Sequence, residues 1–276
     1  MTEPTFLVLG ATGKIGQRVT ARLRELDVKV RGASRSSTPP FDWTNQNTWD
    51  TTLLEASAVF VVPHDGTQLT RPFIRRAVDL GVERVVLLSG RGVDVPGYAS
   101  TQGEAGTTHI DGEAAVRTSG IDWTILRPTW FAQNFSEGFF RDAIVRGELR
   151  LPTGDGAVSF VDAEDIAAVA VAALTGDGHT GQTYELSGPR ALTMASAAAE
   201  ITAATGLKIS YVDLSPDEFI GELVEEGWPL ADAEGFADVL GAVRRGLDRH
   251  ISDGVRRALG REPRDFTEFV RAAATR

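Results

Sequence analysis

A glycine turn, Gly10-Ala-Thr-Gly13-Lys-Ile-Gly16, follows the apolar run Phe6-Leu-Val-Leu9 and opens a helical stretch from Gln17 to Leu26. Ile15, Val19 and Leu23 recur at the spacing of one helix face. Strand, tight turn and helix in that order restrict the chain to folds built from βαβ units. Backbone N–H groups at such a helix start can hold a pyrophosphate, and glycines let it approach closely. The spacing is G-x-x-G-x-x-G rather than G-x-G-x-x-G, a variant that resembles the turn of the short-chain dehydrogenases.

Strands and helices keep alternating downstream. Val28–Ser34, Ala58–Val62, Arg84–Ser89 and Ile121–Leu126 read as strands, and Leu69–Leu80 and Asp111–Ser119 as helices. The pattern predicts a doubly wound parallel α/β sheet of Rossmann type, with ligands at the carboxyl ends of its strands. Residues 1–156 form the expected nucleotide-binding domain, to which 157–182 return. Asp162 is the expected N-cap of a helix over Ala163–Leu174. Phe131–Gly147 reads as helical, Val158–Val161 and Ile209–Leu214 as strands, and Pro216–Arg276 as helical with breaks near Gly227 and Gly260. Residues 183–276, with about 130–156, are expected to form a smaller, mainly helical substrate-side lobe.

Composition excludes several classes. A net charge of −10 disfavours nucleic acid or an anionic membrane as partner. The absence of cysteine removes disulfides, thiolate catalysis and cysteine metal sites, and no other metal motif appears. No apolar run is long enough to span a bilayer, and the first strand begins within a few residues of Met1. The expectation is a cytoplasmic protein, monomer or homodimer, acting on a small molecule.

The second strand ends in Gly32-Ala-Ser34-Arg35-Ser36-Ser37, with no acid to bond an adenosine ribose 2′-hydroxyl. Arg35 there would attract a 2′-phosphate instead, with Ser34 and Ser36 as hydrogen-bonding neighbours and Lys14 as a second cation. NADP(H) is therefore the expected cofactor. Its candidate ligands are Gly10, Thr12, Gly13, Lys14, Ile15, Gly16, Ser34, Arg35, Ser36, Pro63 and Ser89. Asp42 is a candidate for the adenine edge.

The acid/base pair of most short-chain dehydrogenases, Tyr-x-x-x-Lys, cannot exist here. Four residues beyond Tyr98, Tyr184 and Tyr211 stand Gln102, Gly188 and Ser215, and the only lysines are Lys14, Lys29 and Lys208. His109 and Glu113, at helical i, i+4 spacing, are the catalytic candidates in its place, with Ser89 at the end of its strand. His64, also at a strand's carboxyl end, is placed against the substrate.

Taken in order, Gly10–Gly16, Val86-Leu-Leu-Ser89, Ile125-Leu-Arg-Pro128, Phe131, Asn134-Phe135 and Phe160-Val-Asp-Ala-Glu-Asp-Ile-Ala167 resemble the NmrA-like branch of atypical short-chain dehydrogenases. Ser34-Arg-Ser-Ser37, Phe41-Asp-Trp43, Arg127-Pro-Thr-Trp-Phe131 and Thr153-Gly-Asp-Gly156 make the chain most similar to the ergot-alkaloid reductases, the festuclavine and agroclavine dehydrogenases. That resemblance implies NADPH-dependent hydride delivery to an iminium or a related electrophilic double bond. Such a reaction suits a chain without tyrosine–lysine, because reduction of an iminium gives a neutral amine and needs no acid. Trp130, Phe131, Asn134 and Phe135 are the expected substrate contacts, the aromatics through cation–π interaction with a cationic, polycyclic substrate. The same resemblance admits a quinone or azo reductase, or a non-catalytic NADP(H)-binding redox sensor.

Overall fold

The computed structural model describes residues 4–95, 98 and 104–274; Gln102 and the chain ends lie outside them. The first half runs β1 (Thr5–Leu9), α1 (Lys14–Glu25), β2 (Lys29–Ala33), α2 (Trp49–Leu53), β3 (Ala56–Val61), α3 (Thr70–Asp79), β4 (Arg84–Leu88), α4 (Glu104–Arg117) and β5 (Asp122–Pro128). Then follow α5 (Asn134–Glu137), α6 (Arg141–Arg146), β6 (Glu148–Leu151), β7 (Ala157–Val158), α7 (Ala163–Thr175) and β8 (Gln182–Leu186). The chain ends with β9 (Leu192–Thr193), α8 (Met194–Thr205), β10 (Ser210–Asp213), α9 (Pro216–Glu225), α10 (Leu230–Arg244), α11 (Gly254–Leu259) and α12 (Phe266–Ala274).

Six strands form one parallel sheet in the order β2-β1-β3-β4-β5-β8. Its central strands are apolar on both faces, as a sheet covered by helices on each side requires. On one face Val19 and Leu23 of α1 pack with Ile166 and Ala170 of α7; on the other Phe73 and Ile74 of α3 pack with Val116 of α4. All six larger side chains are essentially inaccessible, and each contributes about 1.5–3 kcal/mol by leaving water. The expected Rossmann-type α/β fold is the one observed.

A third core, separate from the sheet, joins Phe135, Phe140, Phe160, Leu192, Met194, Phe219, Leu240 and Phe266. Two small ladders frame it, β6 with β10 and β7 with β9. Asp162 caps α7 by accepting from the Glu164 amide, and Ser215 and Glu218 close a capping box on α9.

Several readings of the sequence differ from the structure; the helix expected over Asp111–Ser119 already begins at Glu104. Residues 183–186, expected in the smaller lobe, lie in β8, which pairs with β5 and completes the main sheet. Its alternating polar residues suit an edge, so composition alone did not mark it as part of the sheet. Phe131–Gly147 is two short helices, because the chain turns extended at Gly138 (φ −147°). The C-terminal stretch is four helices rather than the three that two breaks imply, with an extra break between Arg245 and Asp253.

Candidate functional site

The glycine turn is held by its own backbone: the Gly13 amide donates to the Gly10 carbonyl at 2.9 Å. Gly10 takes a left-handed φ of 64°. Gly16 packs so tightly that a Cβ there would lie 2.1 Å from the Gly10 oxygen. Gly13, the N-cap of α1, makes no side-chain cap, so the first-turn amides stay available to an anion at the positive end of the helix dipole. These features fit a dinucleotide pyrophosphate. Ile15, in contrast, is buried in the core beneath the turn and supports it from below.

Beside the turn a cleft of about 190 Å³ is lined by Gly10, Thr12, Ser34, Arg35, Phe41, Asp42, Trp43 and His64. The Ser34–Ser37 segment is pre-folded: Ser37 Oγ accepts from the Ser34 amide and donates to its carbonyl. Ser34 and Ser36 hydroxyls lie 3.2 Å apart, and Arg35 is exposed above them. Pro63 is buried at the end of β3. Asp42 is held below the usual carboxylate range, first by hydrogen bonds from the Thr44 amide and hydroxyl, then by the nearby basic side chains of Arg35 and His64. His64 therefore shares this cleft with Arg35. The strand order decides this: β3 is the neighbour of β1, opposite β2.

Lys14 goes the other way. Its ammonium donates to Asn134 Oδ1 at 2.9 Å and lies 5.7 Å from the centre of the Phe139 ring. Burial lowers its pKa, with Glu137 opposing that shift. Lys14 thus joins the glycine turn to the smaller lobe and does not accompany Arg35. Arg18, one turn along α1, bonds both Glu137 and Glu164 and reinforces the same junction.

At the ends of β4 and β5 the structure gathers Ser89, Glu113 and Arg127. Ser89 Oγ donates to Glu113 Oε1 at 2.7 Å, and Arg127 binds both carboxylate oxygens at 2.7 Å each. Arg117 adds an ion pair at 2.8 Å. Burial pushes the Glu113 carboxyl up, but the bonds from Arg127 and Ser89 and the two arginine charges outweigh it, and the net shift is downward. A carboxylate so held is an ion and an acceptor, not a proton donor. It positions Ser89 and is turned away from the role of orienting His109. Arg127 escaped the sequence reading, although a buried arginine within an apolar strand demands a carboxylate partner.

His109 sits on α4 within van der Waals reach of Gly90. Its Nε2 is 3.9 Å from Asp65, and its Nδ1 is buried without a hydrogen-bond partner among the described residues. Burial lowers its pKa, against the charges of Asp65 and Glu113. The imidazole is thus neutral at pH 7, with one nitrogen uncommitted.

Of the expected aromatic contacts, Phe135 is core: it packs against Phe140, Phe160 and Phe266. Phe131 packs on the sheet core, and Trp130 stacks on Phe140. The aromatic cavity lies further out, about 300 Å³ lined by Phe139, Phe219, Leu223, Trp228 and Phe236 among others. Phe139 touches Phe236, whose ring also stacks on Trp228. The three tyrosines are engaged elsewhere. Tyr98 donates to buried Asp248, Tyr184 pairs with His179, and Tyr211 with Thr153. No group of three or more potential metal ligands occurs among the described residues. No helix among them is long and apolar enough to cross a membrane.

Residues 10–177 match a family described as NAD(P)H-binding. An NAD(P)H azoreductase of Xenophilus azovorans is 32% identical over 98% of this chain and 98% of its own length. The agroclavine dehydrogenase of Claviceps fusiformis is 32% identical over 96% of each. The NADPH complex of the Escherichia coli quinone oxidoreductase QOR2 superposes with a TM-score of 0.80, at 22% identity over 96% of this chain and 98% of that one, which establishes the common fold. With a glycine turn shaped for a pyrophosphate, an adenosine-side cleft and reductases as full-length relatives, the chain belongs to the NAD(P)H-binding family and is an NAD(P)H-dependent oxidoreductase.

Proposed function

We propose that this protein is an NADP(H)-preferring reductase of electrophilic double bonds (C=N⁺, quinone or azo) in bulky unsaturated small molecules. The observation that carries the reading is the commitment of the tyrosines and of Glu113, which leaves His109 as the one candidate proton donor of the sequence without a tight partner among the described residues. No lysine accompanies a tyrosine, and Glu113 is locked by arginines. NADPH, when bound, supplies the hydride. The chain's own part is to hold the nicotinamide end near Ser89, to seat the acceptor against the Phe139–Phe236–Trp228 wall, and to exclude water. Residues 1–156 with 157–186 would carry the cofactor, and the remainder most of the acceptor pocket. One relative, by its name, reduces azo compounds with NAD(P)H, and another is named as a dehydrogenase of agroclavine, which supports a small-molecule redox substrate.

His109 is the remaining group suited to proton supply, with Nδ1 uncommitted and burial lowering its pKa. Purified protein should oxidise NADPH with one acceptor class from a panel of cyclic iminiums, quinones, enones and azo dyes. His109→Ala should cut kcat/KM about 100-fold on quinones or azo compounds, which take up a proton, and leave iminium turnover near wild type. Because protonated His109 is the donor, quinone or azo turnover should rise as pH falls through the histidine's lowered range. Equal losses on both classes would remove the proton-donor role. Turnover of no acceptor, with NADPH and NADP⁺ bound equally well, would favour a redox sensor.

Arg35 sets the cofactor preference in this reading. Arg35→Ala should weaken NADPH binding by at least about tenfold, the size of a charge-assisted hydrogen bond, and leave NADH binding unchanged. Fluorescence titration with both nucleotides measures this, and parallel losses for the two would end the NADP(H) preference.

A further inference from the structure

We propose that His64 is a second, proton-dependent ligand of the phosphate on the cofactor's adenosine ribose. The proposal rests on the NADP(H) reading above. β2 and β3 flank β1 on its two sides, so the segments after them face each other across the carboxyl end of β1. Arg35 comes from one segment and His64 from the other, and both line the same 190 Å³ cleft. Neither the guanidinium nor the imidazole has a hydrogen-bond or ion-pair partner among the described residues. Asp42 lies close enough for its carboxylate to be influenced by both side chains. Two basic groups without partners among the described residues, on opposite walls of a cleft that Ser34 also lines, make a receptor for a compact dianion.

The other charged groups around His64 are few. Asp65 follows it on the same loop and is 72% exposed. Asp42 and Arg35 face it from the segment after β2. His109 approaches Asp65 from α4. The Asp42 carboxylate already accepts from Thr44 through one oxygen. An arriving phosphomonoester carries a charge of about −1.5 to −2 near pH 7, which makes it the dominant new charge.

Histidine changes charge in the neutral range, and an opposite charge within a few ångströms favours the protonated form by about tenfold or more. Binding of the phosphate therefore draws a proton from solvent onto the His64 imidazole. NADH, which lacks the phosphate, draws none. The preference for NADP(H) then becomes steeper in mildly acidic solution, and part of it is lost in alkaline solution while Arg35 remains charged.

The test uses the full chain, with 2′,5′-ADP and 5′-AMP as probes, titrated calorimetrically at pH 6.0, 7.0 and 8.5 into wild type, His64→Gln and Arg35→Ala. The probe's own phosphate titrates equally in every case and cancels in the ratio of Kd between variant and wild type. For 2′,5′-ADP the His64→Gln ratio should be about 10 at pH 6.0 and fall towards 1 at pH 8.5. Titrations at pH 7.0 in buffers of different ionisation enthalpy should show proton uptake by wild type in excess of that by His64→Gln. For 5′-AMP the ratio should stay near 1 throughout. A ratio for 2′,5′-ADP that does not change with pH, or equal proton uptake in both proteins, overturns the role of His64 while Arg35→Ala still reports the phosphate site. If 2′,5′-ADP binds wild type no tighter than 5′-AMP and Arg35→Ala changes nothing, the NADP(H) preference has failed, and this proposal with it.

Discussion

Gly16→Ala is expected to abolish dinucleotide binding. The added methyl would lie 2.1 Å from the Gly10 oxygen, 2.7 Å from its carbonyl carbon and 3.0 Å from Ala11 Cα. All three are backbone atoms, so no side chain can rotate away. Relief requires α1 to lift from the turn, and α1 is clamped by Val19 and Leu23 in the core and by Arg18 bonding to Glu137 and Glu164. The turn therefore distorts, at a cost of about 1–3 kcal/mol, and its amides lose their alignment. The NADPH Kd should rise at least about 100-fold, the two to three kcal/mol that misaligned charge-assisted bonds represent. Gly221→Ala is the control: it lies in α9 with nothing near its Cβ position, and should bind NADPH normally. A wild-type Kd in Gly16→Ala would remove the pyrophosphate from this turn.

The second large effect is expected at Arg127. Arg127→Met strands the Glu113 carboxylate, 2% exposed, with Arg117 as its remaining ion pair among the described residues. Breaking a buried pair from one side costs about 3–5 kcal/mol, which for a chain of this length is a fall in Tm of roughly 10 °C. The double variant Arg127→Met/Glu113→Leu should recover much of that stability, since the charges left unpaired, Asp94 and Arg117, reach solvent, but not activity, because Ser89 loses its acceptor. The pH dependence has a definite sign. Glu113 is held below the ordinary glutamate range. Its stabilisation is therefore present above about pH 4.3 and lost as pH falls through the lowered native value. The Tm gap between wild type and Glu113→Gln should narrow on that side. A gap that stays constant into strong acid would show that the carboxylate is not the source of the effect.

The first strand, glycine turn and helix could be read from sequence because all their determinants lie within about twenty consecutive residues. The exclusion of tyrosine–lysine catalysis needed only a count of three lysines. What escaped were relations across the sheet. Nothing local places the residues after β3 opposite those after β2, so the sequence alone does not show that His64 and Arg35 line one cleft. Lys14 stands next to the phosphate turn in sequence, yet its side chain is long enough to reach Asn134. Glu113 was paired with His109 through helical spacing, whereas its true partner lies 14 residues on, in β5. Phe135 and Phe139 are four residues apart in one aromatic run. Only the third core shows that the first is interior and the second is 65% exposed at the rim of a cavity.

The smaller lobe does not hang from the sheet by a single strap. After building β7, the chain enters α7 and returns to the sheet as β8; later it leaves α10 and returns again as α11 against α7 and β8. That last contact leaves no space for a side chain, since a Cβ on Gly254 would fall 2.0 Å from the Glu185 carbonyl. A body riveted at successive points cannot swing open like a jaw. If acceptors enter the aromatic cavity as proposed, they would pass the rim side chains Phe139 and Trp228. The breadth of molecules admitted should follow ring size at those two positions rather than any large-scale breathing of the protein.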